Sequence, residues 1–192
     1  DQLNSKEKAL FENISDKINL GYEHLENKFL DFSRELLMPF KVSIEGPKLA
    51  VGDINGDGLE DFYVGGAREQ AGQLYIQNQN GFTKSNQNAF LADSVSEDVD
   101  AVFFDADNDK DLDLYVVSGG NEFYGKMAPL LDRLYINDGK GNFTKGILPM
   151  LYENKSCVRP CDFDSDGDID LFIGGRVLPF AYGLSPHSYL LQ

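Results

Sequence analysis

Asp53-Ile54-Asn55-Gly56-Asp57-Gly58-Leu59-Glu60-Asp61, Asp105-Ala106-Asp107-Asn108-Asp109-Lys110-Asp111-Leu112-Asp113 and Asp162-Phe163-Asp164-Ser165-Asp166-Gly167-Asp168-Ile169-Asp170 share one grammar, and their spacing of 52 and then 57 residues makes them parts of a repeated module. The candidate ligands are Asp53, Asn55, Asp57, Leu59 and Asp61 in the first loop; Asp105, Asp107, Asp109, Asp111 and Asp113 in the second; and Asp162, Asp164, Asp166, Asp168 and Asp170 in the third. Side-chain oxygens at positions one, three, five and nine, with a backbone carbonyl at seven, suit a hard cation that takes six to eight oxygens at about 2.3–2.6 Å. Magnesium demands near-ideal octahedral geometry and keeps its waters. Transition metals favour His or Cys, and none lies inside these loops. The loops therefore predict calcium, up to three ions. Without a cation, two carboxylates about 6 Å apart repel by roughly 3 kcal/mol at an effective dielectric of about 20. Asx turns, which Asp and Asn form without metal, are the competing reading, and three copies with the same odd-numbered acids weigh against it.

An EF-hand shares the opening of this motif but requires a bidentate Glu at position twelve and flanking helices. Position twelve is Val64, Val116 or Ile173, and the segments after the loops, such as Leu114-Tyr115-Val116-Val117, have strand character. The third loop, with Asp at all five odd positions and Gly167 at position six, should bind most tightly. The second places Lys110 at position six, where a left-handed backbone costs a non-Gly residue about 1–2 kcal/mol and an ammonium sits beside the ion, so it should be the weakest.

The repeat extends beyond the loops. Each unit opens on a short apolar strand (47–52, 100–104 or 156–160), passes through its loop into a strand ending in Gly-Gly, and continues with a third strand, Gln73–Gln77, Arg133–Asn137 or Ser188–Gln192. A Gly-bearing turn and a fourth strand, Phe82–Lys84 or Phe143–Lys145, follow in the first two units. Four-stranded units of about 50 residues in series are the pattern of a β-propeller. The predicted fold is all-β: a partial propeller of about three four-stranded blades, at about 46–98, 99–155 and 156–192, the last incomplete, with calcium-binding loops. Three blades do not close a ring, so the chain is read as an excerpt of a longer protein or as a part that completes itself with another copy through open blade edges. Residues 1–45 lie outside the repeat. There Tyr22, Leu25, Phe29, Phe32 and Leu36 fit an amphipathic helix ending before Pro39, and the competing reading is an extended segment covering a blade edge.

With 42% hydrophobic and 26% charged residues, the chain has the composition of a globular protein. Its net charge of −15 disfavours a nucleic-acid partner, and no apolar run approaches the length of a membrane span. Cys157 and Cys161 are read first as buried free thiols, with a local disulfide at a Pro160 bend as the alternative. His24 and His187 sit in no nucleophile or zinc motif, and Asp138-Gly139-Lys140-Gly141-Asn142 is a hairpin turn rather than a phosphate loop. Arg68, Arg133 and Arg176 are expected to pair with neighbouring acids and hold blades together.

The Asp-rich loop between short strands, followed by Gly-Gly, resembles the FG-GAP and VCBS repeats, over residues 46 to 192. Gly46–Asp61 and Asp132–Phe143 are most similar to bacterial VCBS proteins of the ASPIC and UnbV-like type. The resemblance implies a seven-bladed propeller, a location outside the cell or on its outer surface, and adhesion or ligand recognition. The functional expectation is a non-enzymatic calcium-stabilised scaffold that binds protein or glycan. The alternative is a propeller platform for a polysaccharide lyase or hydrolase.

Overall fold

The computed structural model describes residues 9–18 and 20–192. Among them, the strands form three antiparallel sheets in simple up-and-down order. The first sheet holds β1 (Leu49–Gly52), β2 (Asp61–Val64), β3 (Gln73–Asn78) and β4 (Gly81–Ser85). In the second are β5 (Glu97–Phe104), β6 (Asp113–Gly119), β7 (Arg133–Asn137) and β8 (Phe143–Lys145), and in the third β9 (Asn154–Cys161), β10 (Asp170–Val177) and β11 (Tyr189–Leu191). These are two four-stranded blades and one of three strands, as the repeat predicts. The Asp-rich loops are the hairpins between the first two strands of each blade, closed by the pairs Gly52↔Asp61, Phe104↔Asp113 and Cys161↔Asp170.

The blades stack face to face. Ala50, Tyr63 and Leu74 of the first pack against Ala101, Phe103, Leu114 and Tyr135 of the second. On the other side of the second blade, Val99, Phe104, Tyr115 and Val117 meet Val158, Leu171 and Ile173 of the third. The middle blade is thus covered on both faces, and every residue of β6 is buried. This is the physical basis of its near-continuous apolar run, in contrast to β1, where Leu49 and Val51 are each 59% exposed while Ala50 is buried. A short helix, Asn88–Ala92, inserts Phe90 between Tyr63 and Tyr135, with ring centroids at 5.4 and 4.8 Å. The Gly-Gly pairs permit close approach of the following connection at or near the end of each second strand: a Cβ at Gly66 would stand 1.9 Å from the Gln70 carbonyl oxygen, and one at Gly175 2.1 Å from that of His187.

The N-terminal segment corrects an expectation. Its helical spacing does not produce a helix: over 20–48 the chain is irregular except for a 3₁₀ turn at Asp31–Ser33. It runs as a strap across the edge where second strands connect to third strands, the competing extended reading. Its polar groups find partners there that a helix would deny them. Gln70 Nε2 donates to the Glu23 carbonyl at 2.7 Å while its Oε1 accepts from Leu25 N at 3.0 Å. Asn27 donates to Glu122, Asn121 N donates to Ser43 Oγ at 2.7 Å, and Arg176 pairs with Glu45 at 2.8 Å. Met38 and Val42 pack on Val177. The strap therefore touches all three blades.

The cysteines are free, as expected, but not buried: Cys157 is half-buried and Cys161 exposed. Pro160 pairs in register with Leu171 and makes no bend. No helix among the described residues is long and apolar enough to cross a membrane.

Candidate metal centres

Two left-handed residues turn each loop. Position six is Gly58 (φ 84°), Lys110 (77°) or Gly167 (100°), and position four is Gly56 (71°), Asn108 (62°) or Ser165 (63°). The strain expected at Lys110 is present. Position four was not foreseen, although Gly and Asn, which enter this region most readily, were the available signal.

Position one organises the turn. Asp53 Oδ1 accepts from Gly56 N at 2.8 Å and Asp57 N at 3.1 Å, and its Oδ2 accepts from Gly58 N at 2.8 Å. Burial works to raise the Asp53 carboxyl, but these N–H groups outweigh it and hold it below the usual range. Asp105 repeats the pattern with Asp109 N and Lys110 N at 3.2 and 3.1 Å. Such Asx-type bonds do not exclude a cation, since Asp53 Oδ2 and both Asp105 oxygens accept a single N–H each and keep a second lone pair.

Position nine does different work. Asp61, Asp113 and Asp170 are almost completely buried. Asp113 Oδ2 accepts from Ala106 N at 2.9 Å and its Oδ1 from Asn137 N at 2.8 Å, so one carboxylate ties the start of the loop to the third strand. Asp61 does the same with Ile54 N at 3.1 Å and Gln77 N at 2.7 Å. Asp170 accepts from Phe163 N at 2.7 Å, and its Oδ1 is buried without a partner.

Carboxylate oxygens of Asp105, Asp107 and Asp113 lie within 4.8 Å of one another, as do those of Asp162, Asp164 and Asp170, and those of Asp164, Asp166 and Asp168. Oxygens on one calcium, at about 2.3–2.6 Å each, are separated by about that span or less. The donor set is all oxygen and fits a hard cation. In the first loop the residue at position three is Asn55, whose Oδ1 accepts from Asp57 N at 3.0 Å and whose Nδ2 donates to Asp57 Oδ2 at 3.2 Å. Asp111 faces the β7–β8 turn; its Oδ1 is buried without a partner, and burial, reinforced by Asp109 and Asp113, pushes its carboxyl up to about 6.

Several charged residues that sequence reasoning missed or left general lie between blades. Arg133 pairs with Asp98 at 2.8 Å, both side chains buried, and Asp98 also accepts from Tyr63 Oη at 2.7 Å and Gly66 N at 2.8 Å of the first blade. Arg133 pairs with a neighbouring acid as expected, but within its own blade, and it is Asp98 that reaches the first blade; Arg176 anchors the strap, and Arg68 lies 5.3 Å over the Phe123 ring. Between the second and third blades, Lys155 is wholly buried, donating to the carbonyls of Leu130, Leu151 and Glu153 at 2.7, 3.0 and 2.9 Å, with Asp132 at 3.3 Å. Asn137 Nδ2 bridges to the Ile54 carbonyl of the first loop at 2.7 Å. His24 stands between Tyr22 Oη and Glu26, each at 2.9 Å. Burial, then Tyr75 and Asp98, pushes the Tyr22 phenol up to about 12, so it stays neutral and serves to link the strap to the blade.

Glu97, at the start of β5 beneath the strap, accepts from Arg68 N at 2.8 Å. Burial raises its carboxyl from 4.5 to about 8, against the Arg68 N–H and with help from Glu26, Glu122 and Asp98. The folded chain thus keeps a proton that the unfolded chain releases between pH 4.5 and about 8. The associated stability is complete below that window and is lost as pH rises through it. Glu97→Gln should accordingly raise stability at pH 9 by upwards of about 1 kcal/mol and change it little at pH 4. Urea midpoints at both values check this, and an equal shift at both would contradict it.

The family description "FG-GAP-like repeat" matches residues 53–116 and 105–173, each match running from one Asp-rich loop through the next. Among curated proteins, none matches the chain. The matched residues span more than half the sequence and coincide with the stacked blades and their loops. The chain belongs to the FG-GAP-like repeat family.

Proposed function

We propose that this chain is a calcium-stabilised segment of a β-propeller scaffold, belonging to a secreted or cell-surface protein, that binds a protein or glycan ligand without catalysing a reaction. The observation that carries this reading is the convergence of the carboxylates at positions one, three and nine in the second and third loops. Bound calcium neutralises acids that otherwise repel and fastens each hairpin at the turn between its first two strands. The ligands are the fifteen loop residues named from the sequence, with the position-nine acids contributing the lone pairs left over from their N–H bonds. Calcium sites of extracellular modules work at about 10⁻⁴–10⁻³ M, which favours the cell exterior. Apolar side chains on the outer faces of the end blades, Leu49 and Val51 on one and Phe172 and Leu190 on the other, are exposed. They suit contact with a further blade or a second copy of the chain.

Calorimetric titration of the chelated protein tests the reading. Calcium is expected to bind and to restore a melting temperature that EDTA lowers, and to do so better than magnesium. Asp162→Ala should weaken binding more than Asp105→Ala, because Lys110 already impairs the second loop; equal losses refute that ranking. Absence of both heat and thermal shift refutes the calcium role.

A further inference from the structure

We infer that the cleft between the connections of the second and third blades is a binding subsite for a neutral oligosaccharide. The inference rests on the scaffold reading and names its ligand class. The cleft has a volume of about 510 Å³, within the range of small-molecule sites. Tyr124 from the β6–β7 connection and Phe180 from the β10–β11 connection form one wall, and Lys126, Glu153, Asn154 and Tyr189 are among the other residues that line the cleft.

Two independent features point to a ligand. The first is a held aromatic surface. Phe180 adopts a left-handed backbone, φ 67°, which a bulky residue enters only at a cost in strain. Its ring is nonetheless 61% exposed. The Arg34 guanidinium of the strap covers the ring at 4.6 Å, and Tyr124 stands edge-on at 5.1 Å and 79°. Glu35 accepts from Phe180 N. The strap thus fixes an aromatic platform facing solvent, where water gains nothing from the ring and the electropositive C–H face of a sugar does.

The second feature is an orphaned amide. Asn154, the first residue of β9, is 1% exposed, and neither its Nδ2 nor its Oδ1 has a partner among the described residues. Leaving such a group unsatisfied costs about 1–3 kcal/mol. At the first residue of β5, one blade earlier, Glu97 is engaged by Arg68 N from the preceding connection; among the described residues no hydrogen bond reaches the Asn154 side chain. A side-chain amide offers both a donor and an acceptor, which vicinal hydroxyls match. Beside it Glu153 adds carboxylate acceptors, and burial, then hydrogen bonding to Glu153 and its charge, push the Tyr189 phenol up to about 12. One carboxylate, Glu153, and one ammonium, Lys126, line the cleft, so its walls favour neither sign of charge, and the net charge of −15 on the whole chain disfavours uronates and other acidic sugars.

The test is a calcium-loaded screen of the chain on an array of neutral oligosaccharides (gluco-, manno-, xylo- and galacto-configured), followed by calorimetric titration of the strongest hit with wild type, Tyr124→Ala, Phe180→Gly and Asn154→Ala. The glycine keeps the left-handed backbone while removing the ring, and thermal melts establish that each variant is folded. The expected result is a loss of affinity of at least about tenfold in Tyr124→Ala and Phe180→Gly. A hit bound equally by these two folded variants overturns the subsite, as does failure of every neutral oligosaccharide to bind. That failure leaves the scaffold reading standing if calcium still binds. Cleavage of the bound oligosaccharide supports the cleft and overturns the non-catalytic scaffold reading.

Discussion

Lys155→Met is expected to destabilise the protein by about 3–5 kcal/mol, the usual cost of removing one partner from a buried ion pair. The methionine would keep the length of the side chain and fill the space. It would leave three carbonyls without the ammonium they share, and Asp132, now holding only Ser118 N and Tyr115 Oη, without its counter-charge. Burial lowers the pKa of the Lys155 ammonium while Asp132 opposes that shift, so the pair is costly to assemble and costlier to break. Adding Asp132→Asn should recover part of the loss, because an amide needs no counter-charge. Urea unfolding of the single and double variants measures both effects. A loss below about 1 kcal/mol for Lys155→Met would show that the bridge between the second and third blades contributes little.

The second large effect is expected at position nine of a loop, and it should appear with no metal present. Asp113→Ala removes the common acceptor of Asn137 N, buried in the blade, and Ala106 N, partly buried at the start of the loop. The buried Asn137 N left without an acceptor costs about 1–3 kcal/mol and the partly buried Ala106 N less, partly offset by relief of repulsion from Asp107 and Asp109, for a net loss of roughly 1–3 kcal/mol. Measured in EDTA, this loss isolates the clamp from any ligand role. Asp109→Ala, at position five and exposed, is the control and should be nearly neutral there. If Asp113→Ala matched the control in EDTA, position nine would act only through a cation.

The contrast between Asp109 and Asp113 shows how far the residues could be read directly. Both are odd-numbered acids of one loop, and the chain alone treats them as equivalent oxygen donors. The turn itself was legible, because a left-handed backbone at Gly58 or Gly167 and an Asx bond from Asp53 are settled within a few consecutive residues. So were the strands, whose apolar runs and Gly-Gly exits repeat with each loop. The course of 20–48 was not: Tyr22, Leu25, Phe29, Phe32 and Leu36 keep a helical interval, but the groups that claim this backbone, Gly65, Gln70 and Asn121, come from blades much later in the chain. Lys155 and Glu97 look like ordinary charges at strand starts. Their burial depends on neighbours distant in sequence, Leu130 from the preceding blade over Lys155 and Glu122 from the β6–β7 connection beside Glu97, which only the folded chain brings together.

What the amino-acid order determined by itself was therefore the local grammar: hairpins turned by Asp-rich loops, four strands to a unit, and clustered oxygens of the kind a hard cation takes. The tertiary structure decided which acids are buried as clamps and which stay exposed in the loop, which charges bolt blades together, and where the aromatic cleft opens. Backbone conformation in a tight turn follows from adjacent residues, whereas desolvation, and with it the energetic meaning of a charge, follows from what distant segments place on top of it.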